Sequence, residues 1–285
     1  MTDLVRRAAA RSSALRRLVN HPLRRRASRL RQAGSLLRPA PRFLVGELRG
    51  GTRRYSLASG FTVLVRHRSR DIDLINEIFG VTSAYEPPDA LVPELGGPLR
   101  ILDLGGNIGL FGAFAFGRFA VHEMTSLEPD PENAALLERT IAANQARDRW
   151  QLERVAASNA PGSMRFLHGR FADSRRAEAD EGGIEVESVD VFSLDHRVDL
   201  LKMDIEGGEW TILGDPRLAD LEARILVMEW HWRSAPREDA HGAALALLEG
   251  AGYDIHLDRV DPPGHTGVIW ASRPRARSAA PESSL

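Results

Sequence analysis

The pattern of apolar and polar positions changes character twice along the 285 residues. Up to about residue 38, Leu15, Leu18 and Val19, then Leu23, Ala27 and Leu30, recur at helical spacing beside Arg16, Arg17, Arg24, Arg25 and Arg26. This predicts short basic amphipathic helices, closed off by Pro39 and Pro41. Residues 43–66 then carry short β-rich runs, FLVGEL, RRYSL and FTVLVR, separated by the turn signals Gly50-Gly51 and Ser59-Gly60. A small meander is expected there. Asp71 stands where an N-cap would, ahead of IDLINEIF with its i, i+3, i+4 apolar spacing, and Pro87-Pro88 ends the segment. That helix is expected to cover one side of the core.

From Leu99 strand and helix patterns alternate. LRILDL, EMTSLE and WQLERVAA read as the first three strands, with helices to about residue 119 and over 131–145 between them. After a loop-rich insertion come VDLLKMDI, a helix near Glu209, ARILVMEW, a helix over 238–248, YDIHL and GVIWAS. Repeated β-α units predict an α/β, doubly wound, mostly parallel seven-stranded sheet with helices on both faces. Only DRVDPPGHT separates the last two strands, too little for a helical crossover, so one strand runs antiparallel. The chain divides into a basic arm (1–41), a β-rich and helical extension packing on the core (42–97), the main domain (98–273) and a polar, disordered tail (274–285).

Composition narrows the function. With 43% hydrophobic residues the chain buries one substantial core. The absence of cysteine excludes thiolate nucleophiles and cysteine-ligated metals and suits a cytoplasmic setting. The longest apolar stretch, IGLFGAFAFG, falls short of the roughly 20 residues that span a bilayer. The net charge of -1 hides an arginine-rich start and an acidic remainder. No nucleic-acid partner is expected. The arm over residues 1–38 reads either as a dock for an anionic membrane or acidic partner or as a solvated extension.

In open α/β sheets ligands sit at the carboxyl ends of the strands. The first strand ends in Asp103, Gly105, Gly106, Asn107 and Gly109, a glycine turn that brings backbone N–H groups of the next helix close to an anion. Glycines at i, i+2 and i+5 would bind a dinucleotide; counting from Gly105, positions 107 and 110 are Asn and Leu. Glu128 ends the second strand, where a carboxylate accepts hydrogen bonds from both ribose hydroxyls or, alternatively, caps the next helix. Pro129 beside it and Ala157 after the third strand complete the expected cofactor set. Asp103 is placed to hold a cationic amino group. Amino acid plus adenosine describes S-adenosylmethionine.

DLGGNIGLF, SLEPDPEN, LLKMDIEGGEW and VMEWHW, with SRDIDLINEIFGVTSAYEP upstream, resemble the motifs of the FkbM family of methyltransferases over about residues 66–232. Gly106 stands where alanine is common in that family. The resemblance implies a class I, Rossmann-like methyltransferase fold, S-adenosylmethionine as cofactor and O-methylation of a sugar or secondary metabolite.

Two clusters offer a proton acceptor for a hydroxyl. Strand alternation puts Leu200, Lys202 and Asp204 on one face, so Asp204 meets the cleft with Lys202 beneath it and touches cofactor or acceptor. Glu206 and Glu209 fall one turn apart on the next helix, with Glu206 a catalyst or a cap. Glu229 and His231 share a face; His231 is the preferred base, with Glu229 orienting its ring, and a structural role is the alternative. Asp204, Glu206 and Glu229 would also admit Mg²⁺, but no metal is expected, because a sulfonium and Lys202 already supply positive charge. Residues 169–183 read as an acceptor lid or a surface loop. Two other functions stay open: an N-methyltransferase, although the Asn/Asp-Pro-Pro-aromatic signature is absent, and a non-catalytic scaffold acting through the basic arm.

Overall fold

The computed structural model describes residues 22–273 apart from residues 82, 168–174, 177–181, 195–196 and 263. The expected tail, most of the expected lid and residues 1–21 of the basic arm lie outside the described residues.

Two helices open the fold, α1 (Pro22–Leu36) and α2 (Ala40–Arg49), followed by a hairpin of β1 (Gly51–Ser56) and β2 (Thr62–His67) and by helix α3 (Asp71–Phe79). FLVGEL is therefore helical, correcting the expected strand. Phe43 and Gly46, three apart, form its buried face, and Gly46 is needed because a Cβ there would lie 2.2 Å from the His67 ring. Helical periodicity against the hairpin overrides the β-propensity of Phe, Leu and Val. Asp71 is also not an N-cap. It lies inside α3, and its buried carboxylate accepts from the Arg66 backbone N–H at 2.8 Å and pairs with the Arg66 guanidinium at 2.9 Å. Arg66 in turn donates to Asn133 at 2.8 Å, tying the hairpin to the main domain.

The main domain continues with β3 (Leu99–Leu104), α4 (Leu110–Arg118), β4 (Val121–Leu127), α5 (Pro131–Ala143) and β5 (Trp150–Glu153). Then come β6 (Ala156–Ser158), β7 (Gly162–Leu167), β8 (Arg175–Arg176) and β9 (Ile184–Asp190), which form a small sheet of order β6-β9-β7-β8. The single strand expected over WQLERVAA is thus two: its second half leaves the main sheet to pair with β9. The chain returns through β10 (Val198–Met203), α6 (Glu209–Leu213), β11 (Ala223–His231), α7 (Ala240–Gly250), β12 (Asp254–Asp261) and β13 (Thr266–Ser272).

Seven strands make the main sheet in the order β12-β13-β11-β10-β3-β4-β5, and β13 runs antiparallel to both neighbours while the other pairings are parallel. This is the expected doubly wound sheet with one reversed strand. Alternation along its strands divides the core. Leu99, Ile101, Leu200, Ile225 and Val227 face α4, α5 and the N-terminal elements; Leu102, Leu104, Leu201, Met203, Leu226 and Met228 face α6 and α7. Ala33, Leu37, Phe43 and Tyr55 belong to the first of these cores, so the N-terminal helices and hairpin are packed onto the sheet. Among the described residues no helix is long and apolar enough to cross a membrane.

Candidate functional site

The carboxyl ends of β3, β4 and β10 meet where the strand order reverses, the place at which a doubly wound sheet leaves a crevice. The turn after β3 is tight. Gly105 has φ +87°, and a Cβ there would stand 1.9 Å from the carbonyl oxygen of Asp204, so only glycine allows β3 and β10 to close up. Gly105 and Gly106 both donate their N–H to the Leu127 carbonyl, locking the turn to the end of β4. Glu128 is buried there. One oxygen accepts from Asn107 N–H at 2.7 Å and the other from Asp130 N–H at 2.8 Å. Asp130, not Glu128, caps α5, accepting from the N–H groups of Glu132 and Asn133. Burial, opposed by these two bonds, pushes the Glu128 carboxyl up to about 7, which marks a carboxylate short of donors.

A cleft opens over this corner. Gly105, Gly106, Asn107, Glu128, Pro129, Ala157, Asp204 and Glu206 line it. Gly109 and Asp103 do not. Gly109 precedes α4 at φ +87° against Leu137. Asp103 is fully buried beneath the floor, 3.2 Å from Lys202 Nζ and accepting from Ser126 Oγ at 2.8 Å. The cation it faces in this structure is Lys202. Lys202 also donates to the carbonyls of Gly105 (2.6 Å) and Leu104 (3.3 Å) and lies 3.7 Å from Asp204. Burial alone would lower its pKa, but Asp103 and Asp204 outweigh it and the net shift is upward.

Asp204, Glu206, Glu77 and Leu74 belong both to this cleft and to a second, more open basin lined also by Arg70, Glu229, His231, Arg259 and Asp261. The basin is rich in carboxylates held by one another. Tyr85 donates to Asp204 at 3.2 Å, and burial, then Asp204, keep its phenol protonated well above the usual range. Burial and the nearby Asp204 likewise raise Glu77 and Glu229, whose carboxyls hydrogen-bond to each other. His231 lies 3.1 Å from Glu209 through Nδ1, and its Nε2 is 3.5 Å from Glu206 and 3.8 Å from Glu229. Burial disfavours its charge, yet these carboxylates overcome the penalty and hold its pKa well above the ordinary value.

Two expectations need correction here. Glu206 is not on the helix of Glu209: it sits at φ +54° in the preceding turn, and α6 begins at Glu209. Glu209, not Glu229, fixes the histidine ring; its carboxylate also accepts from the N–H groups of Ile205 (3.0 Å) and Gly207 (2.9 Å). Glu77 and Tyr85 join the site without a local motif that marks them, although Glu77 shares with Leu74 and Ile78 a face of α3 where an acid is costly to bury. Asp204, Glu209 and His231 can bring one atom each within 4.8 Å of one another. Glu209 already accepts from two backbone N–H groups and lies against the imidazole, which leaves that one carboxylate few free lone pairs for a hard cation.

The protein is an S-adenosylmethionine-dependent methyltransferase of the Rossmann-like class, as its family match shows. The Methyltransferase FkbM domain profile matches residues 103–255, and the chain belongs to that family. It is 27% identical over 214 residues to methyltransferase sdnD of Sordaria araneosa, covering 61% of this chain and 81% of that protein. Among solved structures it resembles methyltransferase FkbM from Methylobacillus flagellatus KT with a TM-score of 0.45 and 14% identity, over 89% of this chain and 60% of that one. It also resembles Aeropyrum pernix fibrillarin in complex with S-adenosyl-L-methionine, with a TM-score of 0.41 and 16% identity, over 78% and 94%.

Proposed function

We propose that this methyltransferase transfers its methyl group to a hydroxyl of a saccharide or similarly hydroxylated small molecule. The observation that carries the reading is the basin of Glu77, Asp204, Glu206, Glu229 and Asp261 opening into the cofactor cleft through Asp204. A polyhydroxylated ligand can donate to the carboxylates of this basin and accept from Arg70 and Arg259, which line it too.

When bound, S-adenosylmethionine supplies an electrophilic methyl on a sulfonium. In our reading Gly105, Gly106 and Asn107 form the wall against it, Glu128 accepts from its ribose hydroxyls, and Pro129 and Ala157 border the adenosine. The residues present fit such a ligand: Glu128 is a buried carboxylate with a single backbone donor on each oxygen. Asp103 holds Lys202, and Lys202 braces the glycine turn and Asp204.

Asp204 stands at the junction of cleft and basin and accepts the proton of the acceptor hydroxyl, while Tyr85 keeps its carboxylate oriented. Glu206 and Glu229 hold the acceptor's other hydroxyls, and His231, fixed by Glu209, lies against both carboxylates. Holding an acceptor oxygen about 3–3.5 Å from the methyl carbon supplies much of the rate, and proton removal adds roughly 10²–10⁴-fold.

Incubation with S-adenosylmethionine and a panel of glycosides, with mass analysis of the products, tests the reading. A methyl ether on a sugar hydroxyl is the expected product. A methylated amine as the sole product would replace it with the N-methyltransferase alternative, and no product from a protein that binds the cofactor would favour a non-catalytic role.

A further inference from the structure

Helix α2 turns an apolar face to solvent. Phe43 and Gly46 point inward, while Leu44, Val45 and Leu48 are 52%, 42% and 75% exposed. Their spacing puts Leu44 and Leu48 one turn apart on one side with Val45 next to them. Exposed leucines scattered singly need no explanation, but three on one ten-residue helix form a row.

The surroundings of the row are cationic. Arg42 and Arg49 of α2 are exposed, as are Arg31, Arg38 and Arg54 on the adjoining elements. The first 60 residues hold fifteen arginines, no lysine and only Asp3 and Glu47 as acids, a formal charge of +13. With -1 for the whole chain, the remainder carries -14. The charge is therefore segregated: among the described residues, the face that exposes a run of leucine and valine belongs to the basic end of the chain.

We propose that α2 and the arginines around it form a docking surface for an anionic lipid bilayer. An apolar helix face lying in the interface, rimmed by arginine, gains both from burial among acyl chains and from attraction to acidic headgroups. A nucleic acid satisfies the arginines but leaves the leucines against polar phosphate and water, so the apolar row decides between them. Docked this way, α2 lies against the bilayer. Helix α1 packs between it and α3, whose Leu74, Glu77 and Ile78 line the cleft.

Sedimentation of the full chain with vesicles of phosphatidylcholine containing phosphatidylglycerol, and with phosphatidylcholine alone, tests the surface. Partition into the anionic vesicles, weakened by salt, is expected. Leu44→Ser with Leu48→Ser lowers it at least about tenfold, and Arg42→Glu with Arg49→Glu lowers it by more than about fivefold per arginine, because each also reverses its charge. All these positions are exposed, and unchanged S-adenosylmethionine affinity reports that the variants fold. No partition, or equal partition by the serine variant, overturns the proposal. So does tight binding to duplex DNA that vesicles do not compete away and that the serine variant retains, which would assign the surface to nucleic acid.

Discussion

The two halves of the candidate site are built on different physics. In the cofactor half, side chains are held by the backbone: Glu128 by the N–H groups of Asn107 and Asp130, and the glycine turn by the Leu127 carbonyl. In the acceptor half, ionisable side chains hold one another: Asp204 with Lys202 and Tyr85, His231 with Glu206, Glu209 and Glu229, and Glu77 with Glu229. On the proposed function the first half fixes a shape, and damage to it is expected to show in affinity and stability, whereas the second fixes a proton inventory, and damage to it is expected to show in rate. Substitutions that move one quantity without the other sharpen this contrast, and those that move both break it.

Asp204→Asn should give the largest effect. Asparagine keeps the size and a bond to Tyr85 but does not accept the acceptor's proton, so kcat is expected to fall about 10²–10⁴-fold while S-adenosylmethionine affinity changes only a few-fold. Calorimetric titration beside steady-state assay checks the split; a kcat near wild type would remove Asp204 from the proton path. Gly105→Ala comes next and deliberately crosses the boundary. Its Cβ would press on the Asp204 carbonyl at 1.9 Å while φ stays at +87°, so both halves must shift. A stability loss of about 3 kcal/mol or more, with affinity and rate lost together, is expected in denaturant melts and assays. A variant that keeps either one would show the halves to be separable even at their shared wall.

The same contrast explains what the sequence reveals. The cofactor half is written in contiguous strand ends, DLGGNIG and SLEPD, where each residue's role follows from its place after a strand. The sheet and its reversed strand follow from element order and one short connection. The acceptor half joins Glu77 and Tyr85 to residues more than a hundred positions away, and no local pattern announces that meeting. Strand alternation does place Lys202 and Asp204 together, but it does not show that Asp103 reaches across from β3 to take the lysine. Glu206 and Glu209 are three apart, yet the left-handed turn at Glu206 delays the helix, so helical spacing does not describe them. FLVGEL misleads because β-propensity says nothing about the histidine ring that a glycine at position 46 admits.

Glu128→Gln should have a smaller effect, confined to the cofactor half, with affinity for S-adenosylmethionine reduced about 10–100-fold. Its pH signature is specific. The carboxyl sits at about 7 in the folded protein against an ordinary 4.5, so between those values the native state holds a proton that the unfolded chain releases. Stability without ligand therefore falls as pH rises from about 4.5 through about 7, by up to about 3 kcal/mol, and the glutamine variant should lack that loss. Ribose hydroxyls donating to the carboxylate favour its charged form, so binding near pH 6 should expel a proton. Titrations in buffers of different ionisation enthalpy detect the release in the wild type and its absence in the variant. An identical proton balance in both would leave Glu128 outside the ligand contact.

Gly106→Ala tests the cofactor half at its mildest. The φ at Gly106 is not left-handed, so only space opposes a methyl, and its Cβ would meet Leu137 Cδ2 at 2.8 Å and the Ser126 Cβ at 2.9 Å. Leu137 is at the end of a flexible side chain and can give way, whereas Ser126 is fixed by its bonds to Asp103 and Trp150. The turn should therefore move by a few tenths of an ångström away from β4, at a cost of about 1 kcal/mol. Because Asp103 also holds Lys202, and Lys202 braces Asp204, that push has a route into the acceptor half. Thermal melts give the stability cost, and the ratio of change in kcat to change in cofactor affinity shows how far it travels. A change in affinity alone means the buried Asp103–Lys202 pair insulates the two halves; a parallel fall in kcat means it transmits the push.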